Sequence, residues 1–79
     1  MKEAQVRNRL RVARAELDIT QAQLAEMAGV TRQTISLIER DEYNPTIRLC
    51  LLLARALGRD VGELFWLEKP GAPEGRAGR

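Results

Sequence analysis

Apolar positions recur at helical spacing in successive short stretches of this chain. In residues 8–17, NRLRVARAEL, Leu10, Ala13 and Leu17 fall on one side with Val12 beside them, opposite a basic face. Asn8 is placed to cap this segment, its side-chain oxygen accepting a backbone N–H that has no partner within the helix. The following LDI breaks the pattern. Thr20 opens a second helix: TQAQ fits a capping box, with Gln23 three residues after Thr20. Leu24, Ala25 and Ala28 then point inward, with Met27 beside them, and Gly29 ends the helix because glycine enters the left-handed conformation without steric penalty. Thr31 caps a third helix only two residues later. Its inward positions are Ile35 and Ile38, with Val30 just ahead of the cap, and RDEYNP closes it, Pro45 forbidding continuation. Thr46 caps a fourth, IRLCLLLARAL, with a core stripe of Ile47, Cys50, Leu53, Ala54 and Leu57 and an end at Gly58. Asp60 and Glu63 make a cap pair for a last short helix, VGELF.

Five short helices in succession predict an all-α domain over residues 5–68. The segment 69–79, rich in glycine and proline from Pro70 and without an apolar anchor, reads as a disordered tail. No repeat recurs at a fixed period. The chain has 79 residues, 44% of them hydrophobic and 30% charged, as expected of one globular domain. A domain this small buries only about 60% of its unfolded surface, so it needs help. Disulfides cannot supply it, because Cys50 is the only cysteine, and with no histidine there is no Cys–His zinc site. Association with a second copy is the remaining common aid. The N-terminus, MKEAQVRNRL, lacks the apolar core of a signal peptide, and nothing approaches the ~18 apolar residues that span a bilayer, so a cytoplasmic location without membrane contact is expected.

Chemistry for an enzyme is missing: there is no histidine, no glycine-rich phosphate loop and no convergent pair of carboxylates. Cys50 lies on an apolar face and reads as a core residue, not a nucleophile. No catalytic residue, metal, cofactor or small-molecule ligand is expected. Net charge is +2, which decides little, but Arg7, Arg9, Arg11 and Arg14 crowd one early segment. That crowding is open to two readings, a phosphate-attracting patch or a solvated helix face.

The tight turn between the second and third helices narrows the choice. Two helices so joined pack closely only if small residues sit at the crossing; Ala25 and Ala28 supply them and Gly29 the turn, while Leu24, Val30, Ile35 and Ile38 form the hydrophobic wedge. This is a helix-turn-helix arrangement, whose second helix stands out far enough to enter a major groove. The stretch TQAQLAEMAGVTRQTISLIERDEYNP, with Gln21, Leu24, Ala25, Gly29, Val30, Thr31, Ile35, Ile38 and Glu39 as the matching positions, resembles the Cro/repressor-type helix-turn-helix family. EYNPTIRLCLLLARALG and VGELF extend the resemblance over roughly residues 8–67. It implies a five-helix, lambda-repressor-like DNA-binding domain acting as a dimer on an operator.

The polar face of the third helix then acquires a use. Arg32 can offer two parallel donors to guanine O6 and N7, and Gln33 can do the equivalent for adenine N6 and N7; Ser36 can donate or accept, and Leu37 can touch a thymine methyl. Gln21, at the first turn of the second helix, lies where backbone N–H groups favour an anion; the resemblance implies that it touches the DNA backbone and braces Gln33. Thr31, Thr34, Arg40, Tyr43 and Asn44 are backbone candidates on the other rim, though Thr31 as a cap and Tyr43 as a packing residue would also make sense. The resemblance further implies a structural pair between Arg14 and Glu39.

Leucine exceeds what the core stripe of the fourth helix needs: Leu49, Leu51 and Leu52 fall on other faces, and LFWLE holds the only phenylalanine and the only tryptophan. Such surplus points to a homodimer face including Leu52, Phe65, Trp66 and Leu67. The resemblance adds short terminal strands at that interface, Val6 with Arg7 and Trp66 with Leu67. The resulting reading is a sequence-specific double-stranded-DNA-binding transcriptional regulator, a repressor by family expectation, binding an inverted-repeat operator as a homodimer. The alternative is the antitoxin half of a toxin–antitoxin pair, using the same domain for autoregulation and the tail for a protein partner.

Overall fold

The structure, a computed structural model, describes residues 5–68; the tail read as disordered lies outside them. The element order is β1 (Gln5–Asn8), α1 (Leu10–Glu16), α2 (Gln21–Ala28), α3 (Arg32–Glu39), α4 (Ile47–Leu57), α5 (Val61–Leu64) and β2 (Phe65–Glu68). Five helices thus stand as expected, and the terminal strands form: β1 and β2 pair antiparallel, with Val6 opposite Leu67 and Arg7 opposite Trp66. None of these helices is long and apolar enough to cross a membrane.

Three threonines start three helices by the same means. Thr20, Thr31 and Thr46 accept hydrogen bonds from the backbone N–H groups of Gln23, Thr34 and Leu49 at 3.0, 3.2 and 3.1 Å. Each satisfies one otherwise orphaned donor, worth about 1 kcal/mol relative to alanine. Thr20 completes its capping box, its own N–H donating to Gln23 Oε1 at 2.8 Å. Gly29 ends α2 at φ 77, and the next N–H, from Val30, turns back to the Ala25 carbonyl at 3.0 Å. A Cβ at Gly29 would meet nothing within 4 Å. Its requirement is therefore the left-handed backbone, not space.

The first helix differs from its expectation at both ends. Asn8 belongs to β1, and α1 begins at Leu10 with Arg9 in the cap position. Asn8 still serves the helix start from one residue further out, its Oδ1 accepting the Leu10 N–H at 3.1 Å. At the other end the helix stops at Glu16, Asp18 turns through a positive φ of 60, and Leu17 is left on the surface. Ile19, past the turn, packs against the core. Val12 and Met27, read as flanking the inward faces, are exposed.

The core gathers Leu10 and Ala13 from α1, Leu24, Ala25 and Ala28 from α2, Ile35 and Ile38 from α3, and Leu64 from α5 around a face of α4. That face is rotated from the expected one in its first turn. Leu49, Leu53, Ala54 and Leu57 are buried, Cys50 is half-buried, and Ile47 is 79% exposed. Arg48 and Arg55, seven residues apart, mark one outward face of the run IRLCLLLARAL, but all its remaining positions are apolar, so periodicity leaves open which of Ile47 and Leu49, on either side of that face, turns inward; packing against α2 decides. A substitution pair checks the assignment. Leu53→Ala should cost about 2–5 kcal/mol, whereas Ile47→Ser should stay within about 0.5 kcal/mol of the parent in urea denaturation.

Candidate nucleic-acid interface

Two helices joined by the Gly29 turn present α3 outward. Ile35 and Ile38 face the core, so with about 100° of rotation per residue Gln33 points most nearly away from it, flanked by Ser36 and Leu37. Arg32 and Gln33 are exposed; Ser36 and Leu37 are half-buried. Arg32 is the first residue of the helix and Gln33 the second. Both therefore project from the end that can reach furthest into a groove.

Polar contacts join the first turn of α3 to its last residue by way of α2. Arg32 Nη1 donates to Gln21 Oε1 at 3.3 Å, and Gln21 Nε2 donates to Glu39 Oε1 at 3.1 Å. Glu39 in turn receives two bonds from Arg14, Nε to Oε2 at 2.9 Å and Nη2 to Oε1 at 3.1 Å. Arg14 Nη1 also donates to the Ile19 carbonyl at 3.0 Å. The side chain of Glu39 is only 5% exposed and that of Arg14 16%. The Glu39 carboxylate, through its hydrogen bond first, holds the Arg14 guanidinium above its ordinary pKa against the opposing cost of burial. A raised arginine contributes its stability in full below the unfolded value and loses it only at more alkaline pH, so Arg14 adds no pH dependence near neutrality. Burial pushes the half-buried Cys50 thiol up, which disfavours the thiolate.

Gln21 thus braces Arg32, where the resemblance implied Gln33; among the described residues no side-chain hydrogen bond reaches Gln33. Thr31 and Thr34 lie together, their hydroxyls 3.0 Å apart. Past the helix end, exposed Arg40 meets exposed Glu42 at 3.5 Å, and Tyr43 and Asn44 are exposed. Of the residues expected at a dimer face, Leu52 and Phe65 are half-buried against the core of their own chain, while Trp66 is 39% and Leu67 67% exposed. The Arg9 guanidinium carbon sits 5.2 Å from the Trp66 ring centre.

A second set of contacts at the end of α3 had no signal in the sequence. Asn8 Nδ2 donates to the Ile38 carbonyl at 2.8 Å and to Asp41 Oδ1 at 3.0 Å. Arg7 Nε lies 3.4 Å from Asp41 Oδ2. Asn8 was legible only as a helix cap and Asp41 only as part of RDEYNP, and some thirty residues separate the partners.

The helix-turn-helix family HTH_3 matches residues 10–64. The chain belongs to this Cro/C1-type helix-turn-helix family. A helix-turn-helix transcriptional regulator of Methanothermobacter thermautotrophicus is 46% identical over 68 residues, which span 85% of this chain and 99% of that one. The immunity repressor protein of Bacillus phage phi105 is 41% identical over 75% of this chain and 41% of its own length. Among solved structures, the P22 c2 repressor in complex with a synthetic operator superposes with a TM-score of 0.64 at 38% identity, covering 66% of this chain and 79% of that one. This helix-turn-helix protein is thus a DNA-binding regulator by family, and its domain is of the kind found in phage repressors.

The ion pair under α3 has a measurable weight. Glu39→Ala leaves the mostly buried Arg14 without its counter-charge and should cost about 3–5 kcal/mol. Arg40→Ala breaks only the exposed contact with Glu42 and should cost about 0–1 kcal/mol. Thermal unfolding of the two variants separates them.

Proposed function

We propose that this protein is a sequence-specific regulator of transcription, a repressor acting in the cytoplasm, that binds an inverted-repeat operator in double-stranded DNA as a homodimer. The observation that carries this reading is the outward polar face of α3, with Arg32 braced by Gln21 and Gln33 exposed beside it. Arg32 and Gln33 read base edges, assisted by Ser36 and Leu37. Gln21, Thr31, Thr34, Arg40, Tyr43 and Asn44 meet phosphates and set the register of the protein on the duplex. The likeness to the immunity repressor protein, and to the P22 c2 repressor in complex with a synthetic operator, supports repression and duplex DNA as the target.

Symmetry follows from the small reach of one α3. A single eight-residue helix reads only a few base pairs, and a two-fold pair doubles the reading while placing two such helices about 34 Å apart. Trp66 and Leu67 remain candidates for the joint. Leu52 and Phe65, turned to their own core, would serve it from beneath. Leu51, among the surplus leucines, is 56% exposed, and Ile47, which the sequence had placed in the core, adds outward apolar surface at 79% exposure. The β1–β2 pair has two outer strand edges able to accept a strand from another copy. The antitoxin reading depends on the tail, outside the described residues, and no feature of residues 5–68 favours it.

Selection of bound sequences from random duplex DNA tests the proposal. An inverted repeat should emerge with half-site centres about 10 bp apart. Arg32→Ala and Gln33→Ala should each cost about 1–3 kcal/mol on that site and relax preference at one position per half-site. Failure to enrich any sequence would overturn the reading.

The dimer has its own measurement. The parent should sediment as a dimer at micromolar concentration, and a variant with Trp66 and Leu67 both changed to glutamate should sediment as a monomer. That variant should lose far more affinity for the selected operator than for random DNA. A parent that sediments as a monomer yet binds the inverted repeat tightly would remove this joint.

A further inference from the structure

β1 ends against the far end of α3, and Asn8 makes the connection with all of its polar atoms. Its Nδ2 donates to the Ile38 carbonyl at 2.8 Å and to Asp41 Oδ1 at 3.0 Å, while its Oδ1 accepts the Leu10 N–H at 3.1 Å. The Ile38 carbonyl also accepts the Asp41 N–H at 2.9 Å, so both of its lone pairs are engaged. Asp41 stands at φ 61, a left-handed backbone uncommon for a residue with a side chain. From there it turns its carboxylate back to the strand, where Arg7 Nε approaches Oδ2 at 3.4 Å. Arg7 Nη1 also lies 3.2 Å from Glu68 Oε1 of β2. Contacts thus run from the end of α3 through Asp41 and β1 to the last residue of β2.

We propose that Asn8 and Asp41 form a positioning clamp that fixes the orientation of α3 relative to the β1–β2 sheet. The inference rests on the reading of α3 as the base-reading helix and deepens it. Glu39 ties the end of α3 to α1 and α2; taken alone, that attachment leaves a pivot. The Asn8–Asp41 contact attaches the same end from the strand and removes the pivot. The distance from this end to Arg32 is a lever of about 10 Å at 1.5 Å per residue, so a tilt of about 10° moves Arg32 by about 2 Å. Bidentate base contacts tolerate only about 0.5 Å. Because the strand paired with β1 carries Trp66 and Leu67, the clamp also sets α3 relative to the proposed joint.

Asp41→Gly is the decisive variant. Glycine takes the left-handed backbone without steric cost, so the fold tolerates it while the carboxylate and both its contacts are gone. Charge alone would make this variant bind every DNA more tightly. The clamp instead requires the ratio of operator to random-duplex affinity to fall about tenfold, the low end of the loss of one bidentate base contact, with no drop in melting temperature. Asp41→Asn keeps an oxygen for Asn8 Nδ2 and tolerates the same backbone, so its ratio should stay near that of the parent. Asn8→Asp keeps the acceptor for Leu10 but turns like charge against Asp41, and should lower the ratio as Asp41→Gly does. Combining it with Asp41→Asn supplies an amide donor from the other side and should restore much of the loss.

The clamp is also read without DNA. The Glu42 amide, which donates to the Leu37 carbonyl at 2.8 Å, should exchange its hydrogen severalfold faster in Asn8→Asp than in the parent, while the buried amide of Leu53 should not change. Unchanged exchange at Glu42, or an Asp41→Gly protein with the affinity ratio of the parent, overturns the clamp. A parent that selects no sequence at all, with exchange responding as described, overturns the DNA-reading role and leaves the contact standing.

Discussion

A carboxylate with almost no access to water organises the outward helix. Glu39 ends α3, and burying it uncompensated would cost several kcal/mol. Its two oxygens are therefore answered, Oε2 by Arg14 and Oε1 by both Arg14 and Gln21. Those partners stand on α1 and α2, helices of seven and eight residues, too short to persist in water by themselves. One side chain thus binds three marginal helices to one another. Moving α3 means leaving a charge unpaired in a poorly solvated place.

The same carboxylate decides how Gln21 is turned. An amide has a donor end and an acceptor end. With Nε2 committed to Glu39, Oε1 must face away, and there it meets the Arg32 guanidinium. The Arg32 side chain is long and would otherwise spread over many rotamers, each of which must be given up on binding. A weak bond at 3.3 Å narrows that spread without locking it. If Arg32 reads a base edge as proposed, preorganisation of this kind lowers the entropic cost of that contact while leaving the guanidinium free to exchange Gln21 for a better acceptor.

How much of this the sequence disclosed depends on the range of the interaction. The caps at Thr20, Thr31 and Thr46 and the turn at Gly29 are local: each depends on residues three to five apart, and each was legible. The inward faces of α2 and α3 were legible because polar residues bound them. The first turn of α4 was not, because Ile47 and Leu49 flank the arginine face of Arg48 and Arg55 about equally and only the packing partner distinguishes them. Leu17 was misplaced for a related reason: periodicity counted one residue past a helix that Asp18 turns out of. The pairing of Arg14 with Glu39 was legible only through resemblance. Gln21 against Arg32, and Asn8 against Ile38 and Asp41, were not legible at all. Such contacts depend on rotamers and on backbone brought together across separations of 11 to 33 residues.

The core and the polar contacts divide the labour by their physics. Apolar burial is non-directional: it rewards Ile35 and Ile38 for leaving water and is nearly indifferent to a modest rotation of α3 about its axis. Hydrogen bonds weaken steeply with angle, so the pairs at Glu39 and Asn8 penalise such rotation. Well-packed apolar replacement of a buried ion pair is often neutral or stabilising, because desolvation consumes much of the pair's attraction. A domain this small has stability to gain from that exchange, yet it carries the charged pair directly beneath the helix whose angle matters most. The placement makes sense if orientation, not stability, is what the pair supplies. On that account the apolar interior makes the chain fold, and the few polar contacts around α3 determine where Arg32 and Gln33 point once it has.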